Sequence, residues 1–319
     1  MDKSHDTLVR DIYTLLETRK VEVGDALDLN TQALFYQDFD FKDAGGGFLH
    51  DLIAAIHKQI LSPTPQRSDT LRMSNLGTPC ITKLWYDINE PVERGSVRGA
   101  DTMKFLYGDL LEALLIALTK AAGHKVEAEQ REVRINGIVG HLDCVIDGLL
   151  VDVKSASDYS FKKFKQGGGL WKDDGFGYLS QLSSYLYGLQ DSDILKYKDK
   201  AGFLVINKVT GEICMDVYDM SDLLAKKEEE IKYRIETVAQ KEAPTFRMPL
   251  RPQSATSPNM KLGFTCGYCP HKAKCFPNMR SFKYSNGIVH LAHVEKVPNV
   301  EELGAKPVVV PGNDEYEDF

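Results

Sequence analysis

The dipeptide Asp147-Gly148, set between two apolar runs, constrains this chain more than any other feature. Aspartate followed by glycine is a strong hairpin signal, because a tight hairpin turn needs positive φ and glycine supplies it without steric cost. A strand over 139–146 is therefore expected to pair with a strand over 149–155. The first carries Asp143, after Gly140-His141-Leu142, and the second carries Asp152, Val153 and Lys154. Side chains alternate along a strand with a period of two, so Asp152 and Lys154 share a face. A tight hairpin would bring two carboxylates and an ammonium to one place.

These residue types suit a hard divalent cation. Mg²⁺ and Mn²⁺ prefer carboxylate, backbone carbonyl and water oxygens. Such a cation polarises a phosphoryl oxygen and lowers the pKa of a bound water. A lysine beside it can orient that water or stabilise charge developing on phosphorus. The D-x₈-D-x-K spacing by itself is equally compatible with an exposed hairpin carrying three solvated charges.

Further motifs add to it. Gly140-His141-Leu142-Asp143, Asp152-Val153-Lys154 and Gln181-Leu182-Ser183-Ser184-Tyr185 resemble the G-x-x-D, (D/E)-x-K and Q-x-x-x-Y motifs of RecB-type nucleases in the PD-(D/E)xK superfamily. Gly108-Asp109-Leu110-Leu111-Glu112 resembles that family's first motif, with Glu112 where the family often has histidine. Cys80, followed far downstream by Cys266, Cys269 and Cys275, is similar to the iron–sulfur subgroup, where one N-terminal cysteine joins a C-terminal C-x-x-C-x₅-C. That subgroup includes the nuclease domains of bacterial break-processing helicase–nucleases such as AddAB, and CRISPR-associated adaptation nucleases. Ser74-Asn75-Leu76 and Leu84-Trp85-Tyr86, on either side of Cys80, fit it too. The resemblance spans roughly residues 72–280 with the order of elements preserved.

The resemblance implies an α/β fold, a central mixed β-sheet flanked by helices in a restriction-endonuclease-like core, with a C-terminal iron–sulfur arm. It implies Asp143 and Asp152 as ligands of Mg²⁺ or Mn²⁺, with Glu112 as a third and Val153 adding its backbone carbonyl. Lys154 would position the attacking water, and Gln181 and Tyr185 would contact substrate. The implied activity is a metal-dependent deoxyribonuclease, an exonuclease of recombination, repair or replication, acting on single-stranded rather than double-stranded DNA. A non-catalytic DNA-binding or assembly subunit that keeps the fold is the runner-up, disfavoured because the metal-binding and lysine positions are all occupied. An RNA-processing nuclease is a third reading.

The cysteines also speak for themselves. Four thiolates can hold zinc or an iron–sulfur cluster. Zinc sites more often come as two C-x-x-C pairs, and a lone cysteine plus a trio better matches a [4Fe–4S] pattern. The expected role of the cluster is structural, tying the C-terminal arm to the start of the core. Cys144 and Cys214 fall inside expected strands and read as small buried hydrophobes.

With 319 residues and 43% hydrophobic content the chain can build one large domain or two small ones. No apolar run approaches a membrane span and the N-terminus lacks signal-peptide order, so a cytoplasmic location is expected. There, six cysteines are more naturally metal ligands or buried thiols than disulfides. A net charge of −7 excludes a protein that coats nucleic acid indiscriminately, but not a nuclease with a locally basic channel. Lys162, Lys163, Lys165 and Lys172 supply local enrichment just after the Asp-x-Lys strand.

Four stretches follow: an N-terminal helical cap over 1–65, a nuclease core over 72–245, a cysteine-bearing arm over 246–285, and an extension over 286–319. In the cap, Leu8, Ile12, Leu15 and Leu16 fall on one helical face, a second helix is expected over 48–61, Gly45–Gly47 separates the two, and residues 62–65 form a linker. In the core, a helix over 102–122 presents Phe105, Leu106, Leu110, Ala113, Leu114, Ala117 and Leu118 as an apolar stripe with Glu112 near its edge. A strand over 126–135, a flexible glycine-rich segment at 167–169, a helix over 176–190, strands over 201–207 and 212–217, and a helix over 221–240 complete it. The final residues 313–319 are acidic and end in Phe319. They read as a solubilising tail, or as a tail resembling those of single-stranded-DNA-binding proteins, which would dock on a replication or recombination partner.

Overall fold

Asp147 and Gly148 both adopt positive φ, 51° and 82°, and reverse the chain as their chemistry requires. This computed structural model describes residues 3–18, 70–91 and 99–304. The helix expected over 48–61, the Gly45–Gly47 break, the 62–65 linker and the acidic tail over 313–319 lie outside the described residues. The chain divides into two units, Met1–Pro244 and Thr245–Phe319.

The first unit opens with α1 (Leu8–Thr18), α2 (Met73–Leu76), α3 (Ile81–Asn89) and the long α4 (Gly99–Ala121). Strands β1 (Val126–Glu127), β2 (Glu132–Ile135), β3 (Ile138–His141), β4 (Cys144–Ile146) and β5 (Leu149–Ala156) follow. Next come α5 (Asp158–Lys165), a 3₁₀ turn (Gly169–Trp171), α6 (Tyr178–Gly188), β6 (Lys200–Asn207), β7 (Ile213–Asp219), α7 (Ser221–Leu224) and α8 (Lys227–Val238). Five strands form one mixed sheet in the order β1-β4-β5-β6-β7. Only β5 and β6 run parallel among these pairs; β1–β4, β4–β5 and β6–β7 are antiparallel.

The sheet is buried on both faces, and the alternation along β5 decides what each face sees. Leu150 and Ala156 join a core with Phe161 and Phe164 of α5 and Leu179, Leu182 and Leu186 of α6. Val151 and Val153 join the opposite core with Leu8 and Ile12 of α1 and Leu115 and Ile116 of α4. Each fully buried Leu, Ile or Phe side chain contributes about 1.5–3 kcal/mol relative to exposure. Asp152 and Lys154 sit between Leu150 and Ala156 in this alternation, so they are held on the α5–α6 face.

The expected strands and long helices differ from the structure in four places. The strand expected over 126–135 is interrupted because Ala128 and Gln130 take positive φ, 56° and 51°. The strand expected over 139–146 is two: β3 pairs with β2 across an Asn136-Gly137 turn, and only β4 pairs with β5. On α4 the buried face is rotated from the expected stripe, with Leu106, Ala113, Leu115 and Ile116 buried while Phe105 is 54% and Leu114 37% exposed. Finally, the helix expected over 221–240 breaks into α7 and α8, and Asp219 caps the first by accepting from the Ser221 amide at 2.9 Å.

The glycine-rich segment is ordered rather than irregular. Asp216 Oδ1 accepts from the Gly168 amide at 3.1 Å, and the Tyr218 hydroxyl accepts from the Leu170 amide at 3.3 Å. Tyr218 in turn donates to Asp216 Oδ2. Two buried polar side chains of β7 thereby hold the turn that leads to α6.

The second unit comprises β8 (Arg251–Pro252), β9 (Met260–Lys261), α9 (Phe264–Gly267), α10 (Lys272–Cys275), β10 (Arg280–Tyr284), β11 (Gly287–His293) and β12 (Glu302–Leu303). Its sheet runs in the order β12-β10-β11-β9-β8 around buried Phe282 and Leu291.

Candidate active site

Asp143 lies at the bend between β3 and β4, where the chain leaves one sheet for the other. Its Oδ2 accepts from the Val153 amide at 2.7 Å, which draws the carboxylate onto β5. Two positions along β5, Asp152 forms an ion pair with Lys154. Asp152 is 6% exposed, and its Oδ1, with the ammonium against it, has no hydrogen bond of regular geometry.

The electrostatics follow from crowding charges in a buried place. Burial, then the charge of Asp152, push the Asp143 carboxyl well above the usual range; Lys154 opposes this and Glu112 adds to it. Burial alone would depress Lys154, but Asp152 and Asp143 more than offset it and hold the ammonium firmly protonated. A buried carboxyl raised by a neighbouring carboxylate's charge fits a hard cation, which would relieve the repulsion.

Glu112 of α4 reaches this neighbourhood through a residue that the sequence did not single out. Gln130 donates from Nε2 to Glu112 Oε1 at 2.8 Å, and its amide donates to the Asp143 carbonyl at 3.1 Å. Nothing local marks Gln130 in the sequence; its positive φ is a tertiary outcome. Among the described residues no group of three or more His, Cys, Asp or Glu side chains is gathered closely enough to hold a metal ion as it stands.

Helix α6 forms the other wall. Tyr185 is only 5% exposed, and burial, then the charges of Asp152 and Asp143, push its hydroxyl up to about 12, with a hydrogen bond from Gln181 opposing. Gly140 explains itself here: a Cβ at that position would lie 2.5 Å from Met73 Cβ and 2.8 Å from the Tyr185 hydroxyl. The start of α6 is equally tight. Gly177, at φ 76°, lies so close to Gly77 that a Cβ would run into the Gly77 carbonyl. Asp174 caps the helix, accepting from the amides of Tyr178 at 2.8 Å and Leu179 at 2.9 Å.

A model of the PD-(D/E)XK nuclease superfamily matches residues 24–276. The chain belongs to the PD-(D/E)XK nuclease superfamily. The solved structure titled "Crystal structure of SSO0001" is 14% identical, covering 71% of this chain and 95% of that one, with a TM-score of 0.37. A search of curated proteins finds no match. In this PD-(D/E)XK chain the mixed α/β sheet flanked by helices agrees with the superfamily core.

Two expectations fare less well in this superfamily member. The basic stretch after β5 is largely neutralised: Lys162 pairs with Asp158 at 2.8 Å, Lys163 with Asp173 at 2.6 Å and Lys165 with Glu212 at 2.6 Å. The iron–sulfur arm has no support from the gathered side chains, since no cysteine group among the described residues forms a metal site. Cys80 caps α3, its Sγ accepting from the Lys83 amide at 3.4 Å, while Cys266, Cys269 and Cys275 belong to the second unit. None of the six cysteines is in a disulfide. Cys144 is buried and Cys214 partly buried. No helix among the described residues is long and apolar enough to cross a membrane.

Proposed function

We propose that this chain is a metal-dependent deoxyribonuclease that acts as an exonuclease, with single strands preferred over duplex. The observation that carries the reading is the convergence of Asp143, Asp152 and Lys154 on β5 within a member of a nuclease superfamily. Asp143 and Asp152 would hold Mg²⁺ or Mn²⁺, with the Val153 carbonyl and Glu112 completing the protein's share. When bound, such a cation supplies Lewis-acid polarisation of the scissile phosphate.

The chain's own groups do the rest. The ammonium of Lys154 stands beside Asp152, where it would orient the attacking water and steady charge on phosphorus. Gln130 fixes the direction of Glu112, and the Val153 amide fixes that of Asp143. Gln181 and Tyr185 border the carboxylates from α6; with its ring buried, Tyr185 offers its hydroxyl side to that border. For an iron–sulfur cluster on Cys80, Cys266, Cys269 and Cys275 the support is spacing and resemblance, and iron analysis of anaerobically purified protein tests it.

The decisive experiment incubates the protein and Mn²⁺ with end-labelled single-stranded and double-stranded DNA. Wild type should shorten single strands from an end, and Asp152→Asn should not. Near-normal cleavage by Asp152→Asn would show that the site is elsewhere.

A further inference from the structure

Asp152, Phe203 and Asp216 are register partners across β5, β6 and β7. Cross-strand partners point to the same face, and neighbouring strands lie about 4.8 Å apart, so Asp216 stands about 10 Å from Asp152 on the α5–α6 side of the sheet. Asp216 and Tyr218 are both buried. A carboxylate and a phenol inside a core are costly unless specific partners satisfy them. Besides each other, their partners are the amides of Gly168 and Leu170. The polar groups that β7 keeps in its core thus serve one short segment, the 3₁₀ turn Gly169–Trp171.

That turn is fixed from several sides. Gly168 takes φ 69°, a Cβ at Gly169 would run into the Lys163 carbonyl of α5, and Leu170 is buried. The Trp171 amide donates to the Gly168 carbonyl at 3.2 Å, and Lys163 reaches past the turn to Asp173 at 2.6 Å. Trp171 itself is 52% exposed, set against Tyr218 with ring centroids 5.8 Å apart and planes 68° apart. A half-exposed tryptophan on a loose loop is ordinary; one anchored through a buried carboxylate and a buried phenol is a ring held in a set orientation. Exposed Lys172 follows it directly, and on α5 the Lys163 ammonium lies 5.5 Å from the centroid of the exposed Tyr159 ring. Rings interleaved with cations, on the sheet face that carries Asp152 and Lys154, suit a strand whose bases stack on the rings and whose phosphates follow the cations.

We infer that Trp171 is a substrate-binding residue that stacks on a base of the cleaved strand, a few nucleotides from the scissile phosphate, with Lys172 against the adjoining backbone. Resting on the nuclease reading above, this contact lies outside the reacting atoms: the strand that anchors the turn is already two strands away from Asp152. Trp171 therefore governs the hold on the strand and takes no part in the chemistry.

The chain contains two tryptophans, and the other, Trp85, is buried with its indole N–H donated to the Gln240 carbonyl at 2.9 Å, so strand binding should be read through Trp171. The full chain is titrated in Ca²⁺, which lets oligonucleotides bind without being cut, with oligothymidylate and with an abasic strand of the same length. Oligothymidylate should quench the tryptophan fluorescence of wild type, and the abasic strand should not. By anisotropy of a labelled strand, Trp171→Ala should bind oligothymidylate roughly tenfold more weakly, as the loss of one base–aromatic stack implies. Trp171→Phe should recover most of that affinity. If Trp171→Ala binds oligothymidylate as tightly as wild type, the ring is no base platform, which is also the result that a ring kept for a protein partner would give. Wild-type cleavage with Mn²⁺ is measured alongside. A wild type that neither binds nor cuts any strand overturns the nuclease reading and this contact with it, whereas normal cutting beside an unaffected Trp171→Ala overturns the contact alone.

Discussion

The hydroxyl of Tyr185 occupies the space that a side chain at Gly140 would need, 2.8 Å from an ideal Cβ. Two motifs that lie far apart in sequence are thus one packing event. Gly140→Ala should force Met73 or Tyr185 to move, and overpacking of this kind costs about 1–3 kcal/mol. Urea unfolding of the variant would show this as a lower midpoint with an unchanged slope.

Lys154 and Asp152 should separate by readout. Lys154→Met removes the donor and leaves the carboxylates, so cleavage should fall by roughly a hundredfold or more while Mn²⁺ binding by calorimetry persists. Asp152→Asn should lose both. Equal Mn²⁺ affinity in wild type and Asp152→Asn would remove Asp152 from the ligand set.

A buried ammonium secures α6 from behind. Lys227 is fully buried, with Glu230 at 2.5 Å and the Ser180 carbonyl at 3.1 Å, and Glu230 also binds Arg234 at 3.0 Å. Glu230→Ala should destabilise by about 2–3 kcal/mol, less than a fully buried pair would, because Glu230 is partly exposed and Ser180 still accepts. Lys227→Met should cost far less, since no unpaired charge is left inside. The two variants' unfolding midpoints, compared side by side, check the order.

Asp216 gives stability a pH dependence. Burial raises its carboxyl above the ordinary value, with the hydrogen bonds from Tyr218 and Gly168 opposing. A carboxyl raised on folding contributes stability that is full below the ordinary carboxylate pKa of about 3.9 and is lost as pH rises through the folded value. Asp216→Asn should remove that decline. Unfolding free energies for wild type and variant from pH 4 upward, plotted as a difference, should diverge in this direction and level off at neutral pH.

The sequence carried the hairpin but not its neighbour. Asp147-Gly148 is legible as a turn because apolar runs flank it. Asn136-Gly137 is chemically as strong a signal, yet the alternating pattern through 126–135 masks it and makes the strand on each side look longer than it is. The rotated face of α4 has a similar origin: Phe105, Leu106 and Leu114 are all apolar, and only the sheet beneath decides which of them is covered. Asp143, Asp152 and Lys154 were legible from type and spacing. Gln130 was not, because it acts through a backbone conformation imposed by the fold.

Strand β5 is a two-sided ribbon with a core on each side and, under the proposed function, the chemistry on the side of Asp152 and Lys154. Along 149–156 a substitution scan scored for solubility and one scored for cleavage should give two interleaved combs, out of phase by one residue: Val151 and Val153 failing the first, Asp152 and Lys154 the second. Deleting a single residue ahead of Asp152 would exchange the two combs, turning the charged side chains into the packed valine layer and the valines toward the phosphate. Such a chain can drift freely in its loops, but this strand tolerates change only in steps of two.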